Sequence, residues 1–165
     1  MKDYEINENT LAVIAKDNSN SYVYETNDDK GYVINSSVNK IMEDSCMYFG
    51  SSFEGRKESS AVLLNSHYKV PVVVEETNEI IFFPTSSPRL KDCSWISLNH
   101  ISSYKKDKNG CEITFNDGKT LIIPVSFAVL DKQILRSYKL KTCLIERKRG
   151  KNTKNGSKLS KKVKK

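Results

Sequence analysis

Cys46-Met47-Tyr48-Phe49-Gly50-Ser51-Ser52-Phe53-Glu54-Gly55-Arg56-Lys57 is the stretch on which the reading of this chain turns. An aromatic pair runs into Gly50, and Ser51 stands three residues before Glu54, the spacing of a capping box at a helix start. One helix therefore ends near Phe49 and another begins at about Ser52. Gly55 falls in the first turn of the second helix, where Ala would be favoured by about 1 kcal/mol. A glycine there points to close approach by another backbone or by a ligand. Arg56 and Lys57 follow near the helix N-terminus, where the dipole disfavours cations. Local conflicts of this kind gather at functional sites. The plain alternative is a tight turn between packed elements with two solvated cations.

Upstream, Ser36 and Ser37 can cap the first helix, whose apolar positions Val38, Ile41, Met42, Ser45 or Cys46, and Phe49 have helical spacing. Before it, residues 4–7 and 10–15 read as two strands around Glu8-Asn9. Tyr22–Glu25 and Tyr32–Asn35 read as a second pair across a polar turn. Downstream, the second helix runs to Leu64. Val70–Val74 and Ile80–Phe83 follow, apolar on both faces as expected of central strands, with Pro71 at a strand start. Pro84–Lys91 is a Pro- and Ser-rich loop carrying Arg89 and Lys91, a common kind of place for binding residues. Cys93–Leu98 and Ile101–Lys106 are strands. Asn109-Gly110 and Asp117-Gly118 are hairpin signals that define a three-strand meander ending at Pro124. Ser126 caps a last helix from Phe127 to about Glu146, with Leu130, Ile134, Tyr138 and Leu144 or Ile145 as its core stripe. The expected fold is α+β: one strand-rich domain over 1–146 with two or three helices, then a disordered Lys-rich tail over 147–165.

Composition narrows the function. The chain has 165 residues, enough to bury a core without staples. No apolar run is long enough to span a membrane, and the acidic first residues lack the apolar centre of a signal peptide. The four cysteines form no C-x-x-C pair, and neither histidine stands near them at a metal spacing. They are expected to be reduced thiols in a cytoplasmic protein, with no metal and no cofactor. His67 and His100 lie in no nucleophile–base motif, there is no phosphate loop, and Glu75-Glu76 and Asp28-Asp29 sit in turns. An enzyme with catalytic residues is therefore not expected.

Charge points elsewhere. Arg147–Lys165 holds ten Lys or Arg and no acid, whereas residues 1–146 hold all 20 acids beside 17 bases. Such a block usually meets a polyanion. Within the body, Lys132, Arg136 and Lys139 recur at i, i+4 and i+7 on one face of the last helix, with Lys141 beside them. With Arg56, Lys57, Arg89 and Lys91 they form a candidate composite surface for nucleic acid. The alternatives are a wet helix face and, for Arg56 and Arg136, intramolecular ion pairs with Glu54, Glu58, Asp131 or Glu146. A rival from another class is a non-DNA interaction module, docking an adaptor or an anionic membrane through its tail.

The pattern Cys46-x-x-Phe49-Gly50-Ser51-Ser52-Phe53-x-Gly55-Arg56-Lys57 resembles a signature of the ComK family of competence transcription factors. His67-x-Lys69-x-Pro71, Phe83-Pro84-Thr85 with Cys93-x-Trp95-Ile96-Ser97, Thr114-Phe115-x-x-Gly118-Lys119-Thr120, Pro124-x-Ser126 and Gln133-x-x-Arg136 are similar to further family segments in colinear order. The resemblance implies a sequence-specific activator of DNA-uptake genes. It implies binding to paired AT-rich boxes of double-stranded DNA, largely through the minor groove, as a homo-oligomer. RNA polymerase and a proteolytic adaptor are implied as partners, and no membrane. A narrow, electronegative A-tract groove suits Arg and Lys. After Glu146 the Lys-rich tail replaces the extension of the longer members.

Overall fold

The computed structural model describes residues 3–87 and 93–163, with side chains through Gly150. Six strands form one antiparallel sheet: β1 (Thr10–Ala15), β2 (Ser21–Glu25), β3 (Tyr32–Ile34), β4 (Val72–Glu75), β5 (Ile80–Pro84) and β6 (Trp95–Ser97), in the order β3-β2-β1-β6-β5-β4. Between β3 and β4 the chain crosses from one edge to the other through α1 (Val38–Tyr48) and α2 (Phe53–Leu64). β4, β5 and β6 then return inward, so that β6 pairs with β1, Ala12 opposite Ile96. After a 3-10 turn at Leu98–His100, β7 (Ile101–Asp107), β8 (Gly110–Phe115) and β9 (Thr120–Ile123) make the expected meander as a separate sheet, and α3 (Phe127–Val163) closes the chain. The fold is the expected strand-rich α+β domain.

The large sheet is covered on both faces, following the two-residue period of its strands. Val13, Val23, Val72, Val74, Phe82 and Trp95 pack with α1 and Phe53 on one face. Leu11, Ala12, Val73, Ile81, Phe83 and Ile96 pack with the small sheet and α3 on the other. α2 reaches both layers, placing Phe53 in the first and Leu64 in the second. This explains the unbroken apolar runs of β4 and β5. It also corrects their placement: β5 is an interior strand, but β4 is an edge strand whose two faces are covered by neighbouring elements, including α2.

Three further expectations change. Residues 4–7 are not a strand. Thr10 N–H bonds the Asn7 carbonyl in a turn, and the Ile6 N–H finds the Ser45 hydroxyl of α1 at 2.9 Å, so this segment's donor is satisfied by a helix. The first hairpin loop is Lys108-Asn109, and Gly110 opens β8 opposite Asp107. Gly110 has φ +135°, and a Cβ there would collide with the Ile123 carbonyl, so only glycine fits. The core stripe of α3 is Leu130, Ile134 and Leu140 with the polar Gln133 and Ser137, while Tyr138 is 48% exposed.

The helix continues through Arg147–Gly150 without a break at 146. The tail expected over 147–165 otherwise falls on side chains outside the described residues, as do Arg89 and Lys91. Cys46, Cys93 and Cys111 are buried, Cys143 is half-buried, and none forms a disulfide among the described residues. Burial pushes the Cys46 thiol up to about 11, against a smaller opposing effect of Arg56, which fits a packing role.

Candidate nucleic-acid interface

The α1–α2 junction is built by two caps that share no residue. Gly50, at φ +84°, donates to the Met47 carbonyl and Ser51 N–H to the Cys46 carbonyl, the bond pair of a Schellman ending. That use of Ser51 moves the cap of α2 one residue on: Ser52, not Ser51, accepts from Gly55 N at 3.0 Å. A Cβ at Gly55 would lie 2.8 Å from Ser52 Oγ, so the close approach at this glycine is by the helix's own capping hydroxyl. The conflict seen in the sequence is resolved inside the fold.

The Ser51 hydroxyl instead accepts from Arg56 Nε at 2.9 Å, and Arg56 Nη1 pairs with Glu76 Oε1 at 2.8 Å. Glu76 belongs to the β4–β5 turn and is none of the carboxylates near Arg56 in sequence. Lys148 Nζ of α3 donates to the Glu76 carbonyl at 2.7 Å, so this turn gathers cations from two helices. Lys57 points differently. It pairs with Glu54 at 2.7 Å and lies over the Phe53 ring at 4.5 Å. Arg56→Lys should lower stability by about 1 kcal/mol, because an ammonium lacks the planar fork that serves Ser51 and Glu76 together. A thermal melt reads this directly, and a melting point equal to the parent's would mean the fork is dispensable.

α3 begins at the expected cap, with Ser126 Oγ accepting from Val129 N at 3.2 Å. Gln133 is buried and bridges three groups. Its Nε2 donates to the Lys69 carbonyl at 2.9 Å and the Pro84 carbonyl at 2.8 Å, and its Oε1 accepts from Arg136 Nη1 at 2.7 Å. The end of β5 and the link after α2 present bare carbonyls to this helix, which is why an amide replaces an apolar side chain at Gln133, while the buried Ser137 hydroxyl donates back to the Gln133 carbonyl at 2.7 Å. Arg136 also donates to the Lys69 carbonyl at 3.1 Å and to Ser66 Oγ at 3.2 Å. Burial pushes its guanidinium below the ordinary value. No carboxylate pairs with Arg136 among the described residues. Lys132 and Lys139 are exposed on the outer side of α3. Lys141 turns away and donates to Asn99 Oδ1 at 3.0 Å.

Of the eight sequence candidates, Lys57 and Arg136 adjoin one surface feature, the link Asn65–Val70 between α2 and β4. A cleft of about 360 Å³ lies there, lined by Glu54, Lys57, His67, Tyr68, Lys69 and Ser87 among others. Arg56 and Lys141 are tied down elsewhere. Lys69 was absent from the candidates, yet its φ of +49° sets it apart from ordinary L residues. Its sequence signal is the His67-x-Lys69-x-Pro71 pattern, which carries nothing about dihedral angles. His67 is exposed at the cleft, and His100 bonds the Glu8 carbonyl. Among the described residues no cluster of metal-ligating side chains occurs. No described helix is long and apolar enough to cross a membrane.

The model of the ComK protein family matches residues 1–149. The chain is 32% identical over 146 residues to a competence transcription factor of Bacillus subtilis (strain 168), covering 86% of this chain and 75% of the relative. No solved structure matches it. The matched range takes in the α1–α2 junction, the Lys69 turn and the Gln133–Arg136 bridge described above, and the chain belongs to the ComK family, whose Bacillus subtilis relative is a competence transcription factor.

Proposed function

We propose that the protein is a sequence-specific, DNA-binding activator of competence genes that reads AT-rich boxes largely through the minor groove and acts as a homo-oligomer. One observation carries the reading. The family match spans 1–149, the part that folds into both sheets and bears the cations Lys57, Lys132, Arg136 and Lys139 on α2 and α3. The minor groove distinguishes mainly A·T from G·C pairs, and its narrow A-tract form concentrates negative potential that attracts such cations. The Lys-rich 147–165, which follows the expected 1–146 domain on the same helix, adds phosphate attraction without sequence preference. Arg89 and Lys91, which lie outside the described residues, are assigned to the same proposed surface by residue type alone.

The test is fluorescence anisotropy with AT-rich and GC-rich duplexes at physiological salt, using the full chain. Binding is expected to favour the AT-rich duplex and to weaken steeply with salt. Equal affinity for the two duplexes would remove the minor-groove reading and leave only charge. Absence of salt-dependent binding to either would remove the DNA reading and favour a module that docks a protein or an anionic surface.

A further inference from the structure

We infer that the left-handed turn at Lys69 is where this surface meets the phosphodiester backbone of the duplex, and that Gln133 and Arg136 are positioning residues for it, an inference that rests on the DNA-binding reading above. Lys69 has φ +49°, a conformation that glycine or asparagine adopts far more readily. A lysine stays there because its carbonyl is held from α3 by Gln133 Nε2 and Arg136 Nη1. Arg136 Nη2 holds the other end of the turn through Ser66 Oγ. The turn is thus fixed to α3 at both ends, while Tyr68 on it remains 65% exposed.

The chemistry of the turn suits phosphate. Lys69 Nζ lies 5.1 Å over the exposed Tyr68 ring, so a cation–π contact steadies the ammonium while its N–H groups directed away from the ring stay open to an oxyanion. Across the cleft, Glu54 is paired with Lys57 at 2.7 Å and Glu58 also lines the wall, so the phosphate contact falls on the Lys69 side of the cleft. Below the turn, three of the four Nη N–H donors of Arg136 go to Lys69, Gln133 and Ser66, and the guanidinium has no carboxylate partner among the described residues. Its charge therefore adds to the field at Lys69, while its geometry is committed to holding the turn. A Lys point charge beside a phosphate gives affinity and register without reading bases.

The experiment is a salt titration of binding to one AT-rich duplex with the full chain, Lys69→Gly, Lys69→Asn, Arg136→Lys and the Lys69→Gly/Arg136→Lys double variant, each also melted. Gly and Asn tolerate the left-handed turn, so melting points should stay near the parent. Affinity should fall several-fold, and the salt slope should shrink by about 0.9, the value of one phosphate contact. Arg136→Lys keeps the charge and loses the fork, so it should weaken binding in the parent and add less than about twofold in the Lys69→Gly background. Independent, multiplying losses would mean that Arg136 touches DNA itself and would overturn its positioning role. Lys69→Gly and Lys69→Asn both binding like the parent would overturn the turn as a contact. A parent that shows no salt-dependent duplex binding would take down the DNA reading itself, a result distinguishable from both.

Discussion

Lys119→Met is expected to destabilise the protein by about 2–4 kcal/mol, somewhat below the loss for a fully buried pair because the side chain keeps 17% exposure. Lys119 follows the β8–β9 hairpin turn. Its Nζ donates to the Glu25 carbonyl at 2.7 Å and to the Asp28 carbonyl, both at the β2–β3 turn of the other sheet. Asp117 lies 3.8 Å from the same ammonium and accepts from the backbone N–H of Asn27 at 3.0 Å and of Lys119 at 2.9 Å. One side chain of the small sheet therefore ties it to two carbonyls at the β2–β3 turn of the large one. Met fills the stem but returns nothing to three acceptors, and unsatisfied acceptors are what make such substitutions costly. Urea or thermal unfolding measures the change, at about 2–4 °C per kcal/mol for a chain of this size. A melting point within a degree of the parent's would mean that the ammonium is solvated and the sheets do not depend on it.

The same cluster sets a pH dependence. Burial alone would raise the Asp117 carboxyl, but the backbone N–H groups and the Lys119 ammonium outweigh it, and the group titrates below its ordinary 3.8. A carboxyl lowered by folding contributes stability that is complete above the unfolded value and is lost as pH falls through the folded one. Acid below about pH 4 should loosen this inter-sheet link, and Asp117→Asn should remove that part of the acid dependence.

Gln133→Met should cost about 2–4 kcal/mol, with the loss read as a lower melting point, because each buried polar group left unpaired costs about 1–3 kcal/mol. The side chains are close in volume, so packing is nearly conserved. What disappears is the pair of donors to the Lys69 and Pro84 carbonyls and the acceptor of Arg136. Pro84 is the last residue of β5 and Lys69 stands just before β4, so the amide ties α3 to adjacent strands as well as to the surface turn. A variant as stable as the parent would show that water replaces the amide and that the turn is held by Arg136 alone.

Much of this architecture was legible from residue patterns. Ser37 and Ser126 were readable as caps because a hydroxyl before an apolar helical repeat has few other local uses. The meander was readable because glycine and aspartate in short polar breaks dictate hairpins. Ser51 was misread because two serines stood at one junction, and the Schellman bonds of the preceding helix, invisible to spacing, decided which of them capped. Residues 4–7 alternate like a strand, but Ile6 N–H found a serine 39 positions away in sequence.

The candidate site divides along the same line. Its chemical class follows from residue types: cations on two helices, a Lys-rich end and a family pattern in colinear order need no coordinates to be seen. Their pairing does not follow. Glu76, not a near neighbour in the chain, holds Arg56, and the carbonyl of Lys69, 67 positions from Arg136, accepts from the guanidinium for which the sequence suggested only nearby carboxylates as partners. Local periodicity reports which face of an element is apolar, because that face is set within a few residues. Which carbonyl or carboxylate meets a long cationic side chain depends on how separate elements pack, and here the Lys69 turn became visible only once α3 lay against the end of β5.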